Sequence, residues 1–161
     1  MRVLVAALLP ALLAVIGCAQ KPMASPPAGQ LSNHVTSGDL SARLVVDKPV
    51  AVVDNSFQVW LSVTNMGKTP VPVLADSTAP MIVTLWRYTP TGWERFREFP
   101  QSAVRRSVSW QLHPGQTRDF HMTVPVTPDW PMTDLLKLTA EMNGRPEAQP
   151  AVLVRAIPKA E

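Results

Sequence analysis

The sequence predicts an all-β chain folded as a single antiparallel β-sandwich of about eight or nine strands. Three observations carry that expectation. Apolar positions alternate within short runs instead of recurring at helical spacing. Clusters of turn-forming residues separate those runs at intervals of about 8 to 14 residues. Seventeen prolines against seven glycines also work against a helical fold.

Taken in order, Leu40 to Val46 and Val50 to Val53 read as strands divided by Asp47-Lys48-Pro49. Phe57 to Thr64 is the clearest strand: Phe57, Val59, Leu61 and Val63 point one way, Gln58, Ser62 and Thr64 the other, with Trp60 an exception among the outward residues. Asn65-Met66-Gly67-Lys68-Thr69-Pro70 is turn chemistry, and Val71 to Leu74 resumes the β pattern. Met81 to Tyr88 is closed by Thr89-Pro90-Thr91-Gly92. Ser107 to Leu112 meets the turn His113-Pro114-Gly115, after which Thr117 to Val124 alternates Phe120, Met122 and Val124 inward. Leu136 to Met142 and Ala151 to Ile157 flank Asn143-Gly144, a pair favoured in tight turns, with 145–150 lengthening the connection. Asp134 to Glu141 fits a short helix or a strand.

The first residues follow a different logic. Met1 and Arg2 form a short positive region, and Val3 to Ile16 is an apolar run interrupted by Pro10. A charge, an apolar stretch and a small residue before the cut fit a secretory signal. The run is shorter than the ~20 residues that span a bilayer. Cys18 is the only cysteine, so an intramolecular disulfide is excluded and the lone thiol calls for another use. Residues 19–35 lack hydrophobic periodicity, and their proline, alanine and glycine content suits an extended tether. About 15 such residues reach some 45 Å in polyproline geometry. The expected organisation is therefore a signal peptide over 1–17, a lipidated cysteine and tether over 18–37, and a sandwich domain over 38–161.

Val15-Ile16-Gly17-Cys18 resembles the lipobox of bacterial lipoproteins. That resemblance implies cleavage before Cys18 and acylation of its thiol by diacylglycerol, often with a third chain such as palmitate. Two or more chains give stable anchoring where one does not. Ala19 in place of aspartate implies passage to the outer membrane, facing the periplasm. Within the domain, the segments Trp60 to Val73 and Trp110 to Phe120 resemble bacterial immunoglobulin-like sandwiches. They are also similar to the intracellular proteinase-inhibitor-like family. Such motifs specify fold better than function.

The formal charge of +3 falls to +2 when Arg2 leaves with the signal, too little to argue for nucleic acid. No Gly-x-Ser-x-Gly elbow occurs, and His34, His113 and His121 read as solvated surface residues, so no enzyme and no cofactor is expected. Met66, Met81, Met122, His113 and His121 could supply soft ligands for a copper carrier, a minor alternative because strand methionines usually fill cores. The run from Trp93 to Phe99 reads as an edge strand or an exposed loop. In a regular strand, Trp93, Arg95, Arg97 and Phe99 share one face.

The richest segment spans the 25 residues from Trp86 to Trp110, where aromatic rings and arginines alternate. Trp86, Trp93, Arg95, Arg97, Arg105, Arg106 and Trp110 are the candidate partner-binding residues, because aromatics and arginine are enriched at interaction hot spots. The competing structural role is that the rings fill the core while the arginines extend out of it. The favoured function is a non-catalytic envelope lipoprotein that binds a protein or an envelope component. The alternative is a proteinase inhibitor presenting the arginine-rich 89–106 segment as a loop.

Overall fold

The computed structural model describes residues 29–102, 104–132 and 135–160. The expected signal peptide, Cys18 and most of the expected tether lie outside these residues. The described chain is all-β, with eleven strands where alternation suggests eight or nine. They are β1 (Leu31–Ser37), β2 (Leu40–Val46), β3 (Val50–Val52), β4 (Ser56–Asn65), β5 (Val71–Ser77), β6 (Met81–Thr89), β7 (Gly92–Phe99), β8 (Arg105–Leu112), β9 (Thr117–Pro125), β10 (Leu136–Met142) and β11 (Ala151–Ile157).

Two sheets form the sandwich: a four-stranded sheet in the order β1-β2-β4-β9 and a five-stranded sheet in the order β3-β11-β10-β6-β7. A separate ladder pairs β5 with β8. All pairs are antiparallel except β3 with β11, where Asp47-Lys48-Pro49 carries the chain from one sheet to the other. The core is the sum of the inward alternations. Leu40, Ala42, Leu44 and Val46 of β2 and Phe57, Val59, Leu61 and Val63 of β4 meet Met81, Val83, Leu85, Leu136, Leu138, Ala140, Val152 and Val154 of the other sheet. Each large aliphatic chain buried this way contributes about 1.5–3 kcal/mol.

The region expected as tether ends earlier than residue 37, because 31–37 is strand β1, paired with β2 from Leu31↔Val46 to Ser37↔Leu40. Its composition hides it: only Leu31 and Val35 are apolar. The inward position between them is Asn33, which donates from Nδ2 to the Ala151 carbonyl at 2.6 Å and so ties β1 to β11. His34 consequently sits on a strand, its Nε2 2.6 Å from Ser41 Oγ.

Two turns fix the ends of the sandwich. Asn65, fully buried, donates to the carbonyls of Thr69 and Leu112, both at 2.8 Å, and accepts from Gly67 N at 2.9 Å. At the other, Asn143 Nδ2 donates to Ser77 Oγ and Ala79 O, while Gly144 at φ +85° passes so near β5 that a Cβ there would meet Leu74 O at 2.3 Å. Only glycine satisfies both the backbone angle and that approach.

Candidate functional site

The β6–β7 hairpin builds the site. Its turn is closed by Thr89, whose hydroxyl donates to Gly92 O at 2.9 Å, with Gly92 at φ +116°. Next to the turn, Tyr88 and Trp93 are cross-strand partners and meet edge to face, 5.3 Å between centroids. Trp86 opposes Arg95, but Leu85 opposes Arg97, so Phe96 is an extra residue forming a β-bulge.

That bulge separates residues that a regular strand would keep on one face. Trp93 and Arg95, opposite Tyr88 and Trp86, lie on the outer face of the sheet. Arg97 and Phe99, opposite Leu85 and Val83, turn toward the core side. Arg97 donates to Thr127 Oγ1 at 2.9 Å and is ion-paired with Asp129. The Arg97 guanidinium, helped by the Thr127 hydroxyl, holds the Asp129 carboxyl down to about 2 from 3.8. Arg97 therefore fastens the 126–132 segment, with its buried Trp130, to the edge of the sandwich. Its guanidinium is thereby committed to Thr127 and Asp129.

Across the sheet, the register places Leu153, Lys137, Trp86 and Arg95 in one row on β11, β10, β6 and β7. The Trp86 indole donates from Nε1 to Thr139 Oγ1 at 3.0 Å, and Thr139 is buried although it faces outward. Lys137 Nζ lies 4.8 Å from the ring centroids of both Trp86 and Trp93. Tyr88 is 61% exposed and Leu153 54%. The arginines of the hairpin are paired: Arg87 with Glu94 at 2.9 Å and Arg95 with Glu98 at 3.2 Å. Toward the other end of the face, burial pushes the Glu141 carboxyl above its ordinary value. A hydrogen bond from Gln149 opposes that shift, and the charges of Glu98 and Glu147 add to it.

Trp86, Trp93 and Arg95 are thus brought together, with Tyr88 and Lys137 completing the group. Trp110, Arg105 and Arg106 lie on β8, in the separate ladder. Trp110 packs against the core with the Arg118 guanidinium 5.3 Å above its ring. Arg105 and Arg106 are exposed, and Arg105 lines a shallow cavity of about 180 Å³ with Asp76, Glu98 and Phe99. Residues 89–106, expected as a long loop in the inhibitor alternative, contain the hydrogen-bonded strand β7 over Gly92–Phe99, with Thr89 ending β6 and Arg105 and Arg106 opening β8.

The soft-ligand residues are dispersed. Met81 is buried in the core, Met66 is 64% exposed, and His121 and Met122 face opposite sides of β9. His121 stacks on Trp60 at 5.2 Å and shares a 2.6 Å hydrogen bond with Gln58. Among the described residues, no three or more His, Cys, Asp or Glu side chains are placed to hold a metal ion.

Lys137 escapes sequence reasoning. Its alternation within Leu136-Lys137-Leu138 marks it as outward, but only the β10–β6 register brings it to Trp86.

No family model and no curated protein matches the chain. Among solved structures it is similar to Spo0M, a sporulation control protein from Bacillus subtilis, at 14% identity and a TM-score of 0.49, over 78% of this chain and 51% of that one. It is also similar to a β-glucosidase from Listeria innocua at 9% identity and a TM-score of 0.42, over 81% of this chain and 16% of that one. A third likeness is to the C-terminal domain of wzt, at 12% identity and a TM-score of 0.40, over 81% and 80%. The chain spans about half the length of the first and about a sixth of the second. Similarity at this level assigns no activity or ligand.

Proposed function

We propose that this chain is a lipid-anchored, non-catalytic binding domain of the bacterial envelope, and that it holds its partner on the outer face of the five-stranded sheet. The observation that carries the contact surface is the convergence of Trp86, Tyr88 and Trp93 on one solvent-facing patch, with Lys137 between the two indoles. Rings that pack a core point inward, as Phe57 and Trp130 do; these three face away from it. Rigid aromatic side chains on a hydrogen-bonded sheet provide contact area at little entropic cost, which is what a recognition surface needs.

The anchor rests on the lipobox-like Val15-Ile16-Gly17-Cys18, on the absence of any other cysteine in the chain, and on the proline-containing stretch that follows. Acylated Cys18 would fix the domain to the outer membrane, facing the periplasm, through at least two chains. Fatty-acid labelling and fractionation test that half of the proposal. Cys18→Ser should lose both label and membrane association, and retention of both would refute the anchor.

The contact surface is tested by alanine substitution at Tyr88 and Trp93, with melting curves confirming the fold. Partners co-purified from crosslinked membranes should be lost. Unchanged recovery from a folded double variant would remove this face from the account.

A further inference from the structure

We infer that the ligand of this face is an anionic glycan, a polymer of sugar rings carrying carboxylate or phosphate groups, bound with a ring against Tyr88 and an anionic group at Lys137. The inference rests on the outer face being the contact surface and names what would occupy it.

The charge pattern of the face points to an anion. On this face Arg95 is matched by Glu98, while Arg87 and Glu94 pair with each other on the opposite side of the hairpin. Lys137 is left without a carboxylate: among the described residues none lies within ion-pair distance, and its ammonium sits over the indoles of Trp86 and Trp93. These rings hold the ammonium in place without neutralising it. An ammonium on a fixed stem is a point-charge site for phosphate or carboxylate.

The identity of the central cation separates a glycan from a protein partner. Lysine is depleted at protein interfaces, where arginine is enriched. Sugar rings present weakly positive C–H groups that pack on the negative face of an aromatic ring, and Tyr88 is more than half exposed beside Trp93. The shape agrees. Two cavities, of about 180 and 380 Å³, are lined by residues of the β5–β8 ladder or its junction with β6 and β7, whereas the Tyr88 ring stands open to solvent, where a ligand can lie across the surface. An anionic bilayer fits less well, since Glu98, about half exposed on the same face, would press against like charge across the whole plane of contact. A polymer strand, narrower than a bilayer, can pass to one side of that carboxylate.

The test is native electrophoresis of the full chain in detergent micelles through gels containing hyaluronate, polygalacturonate, phosphomannan or neutral dextran. At least one anionic polymer should retard the protein while dextran does not. Lys137→Ala should weaken retardation about tenfold or more, the order expected when a charge-assisted contact is lost, and Tyr88→Ala about threefold or more, the order of a lost ring contact. Lys137→Arg should keep most of it, and Arg105→Ala/Arg106→Ala should leave it unchanged. Retardation by none of the anionic polymers, equal retardation by dextran, equal loss in the Arg105/Arg106 variant, or binding only to phosphatidylglycerol vesicles would overturn the assignment. If the polymers fail while Tyr88→Ala/Trp93→Ala still loses its co-purified partner, the glycan is wrong and the face stands. If both fail, the contact surface falls with it.

Discussion

Lys137 on β10 reaches across the intervening strand β6 to place its ammonium 4.8 Å from the ring of Trp93 on β7. The contact ties a central strand to an edge strand with which it shares no backbone ladder. It also organises the outer face, because the same ammonium is equidistant from Trp86.

Lys137→Ala should therefore cost stability as well as binding, by about 0.5–1 kcal/mol for each ring contact removed. Urea titration followed by tryptophan fluorescence measures it, and Lys137→Arg should recover most of the loss. An unchanged midpoint and an unchanged emission spectrum would show that the ammonium does not organise these rings.

The Arg97–Asp129 pair predicts an acid-sensitive step. Asp129 is held at about 2 against 3.8 when unperturbed, a depressed carboxylate. Its contribution is fully present above the unfolded value and disappears as pH falls through the folded one, so the window lies between about pH 4 and 2. Asp129→Asn should be less stable than wild type at neutral pH, with the gap closing across that window. A gap independent of pH would contradict the pairing.

Glu141 predicts the opposite slope. Its raised carboxyl favours the protonated form when folded, so stability is greatest below the ordinary carboxylate range and falls as pH rises through the folded value. Glu141→Gln, which still offers an acceptor to Gln149, should melt higher than wild type at pH 7 and match it below pH 4. A lower melting point at pH 7 would contradict the burial of this charge.

Two turn substitutions test how the ends are closed. Asn65→Ala removes a buried side chain that serves two carbonyls and one N–H, and should cost about 1–3 kcal/mol. Gly144→Ala meets both a positive φ and the Leu74 carbonyl, and should cost about 1 kcal/mol or more. Chemical denaturation reads both, and near-neutral midpoints would show that the turns relax freely.

Much of the sandwich is legible in the sequence because inward apolar and outward polar residues alternate cleanly. The boundaries of Leu40–Val46 follow from this pattern, as does the face of Trp60, which shares the outer surface with Gln58 and Ser62. Strand β1 is not legible, since Asn33 occupies an inward position and finds its partner 118 residues away at Ala151. The parallel pairing of β3 and the separate β5–β8 ladder depend on long-range register, which local pattern does not encode. The candidate site is half legible for the same reason. Trp86 and Trp93 are close in sequence and one tight turn brings them to the same face, whereas Lys137 arrives only through the sheet. The bulge at Phe96 then turns Arg97 away, because one extra residue reverses every side chain beyond it.

The contact proposed for this face lies at Tyr88 and its neighbours. The most direct measurement places a photoreactive benzoylphenylalanine at Tyr88 in living cells, and at Thr123, exposed on the four-stranded sheet, as the comparison. Ultraviolet-dependent adducts should form from position 88 and none from position 123. Adducts from position 123 with none from position 88 would contradict it.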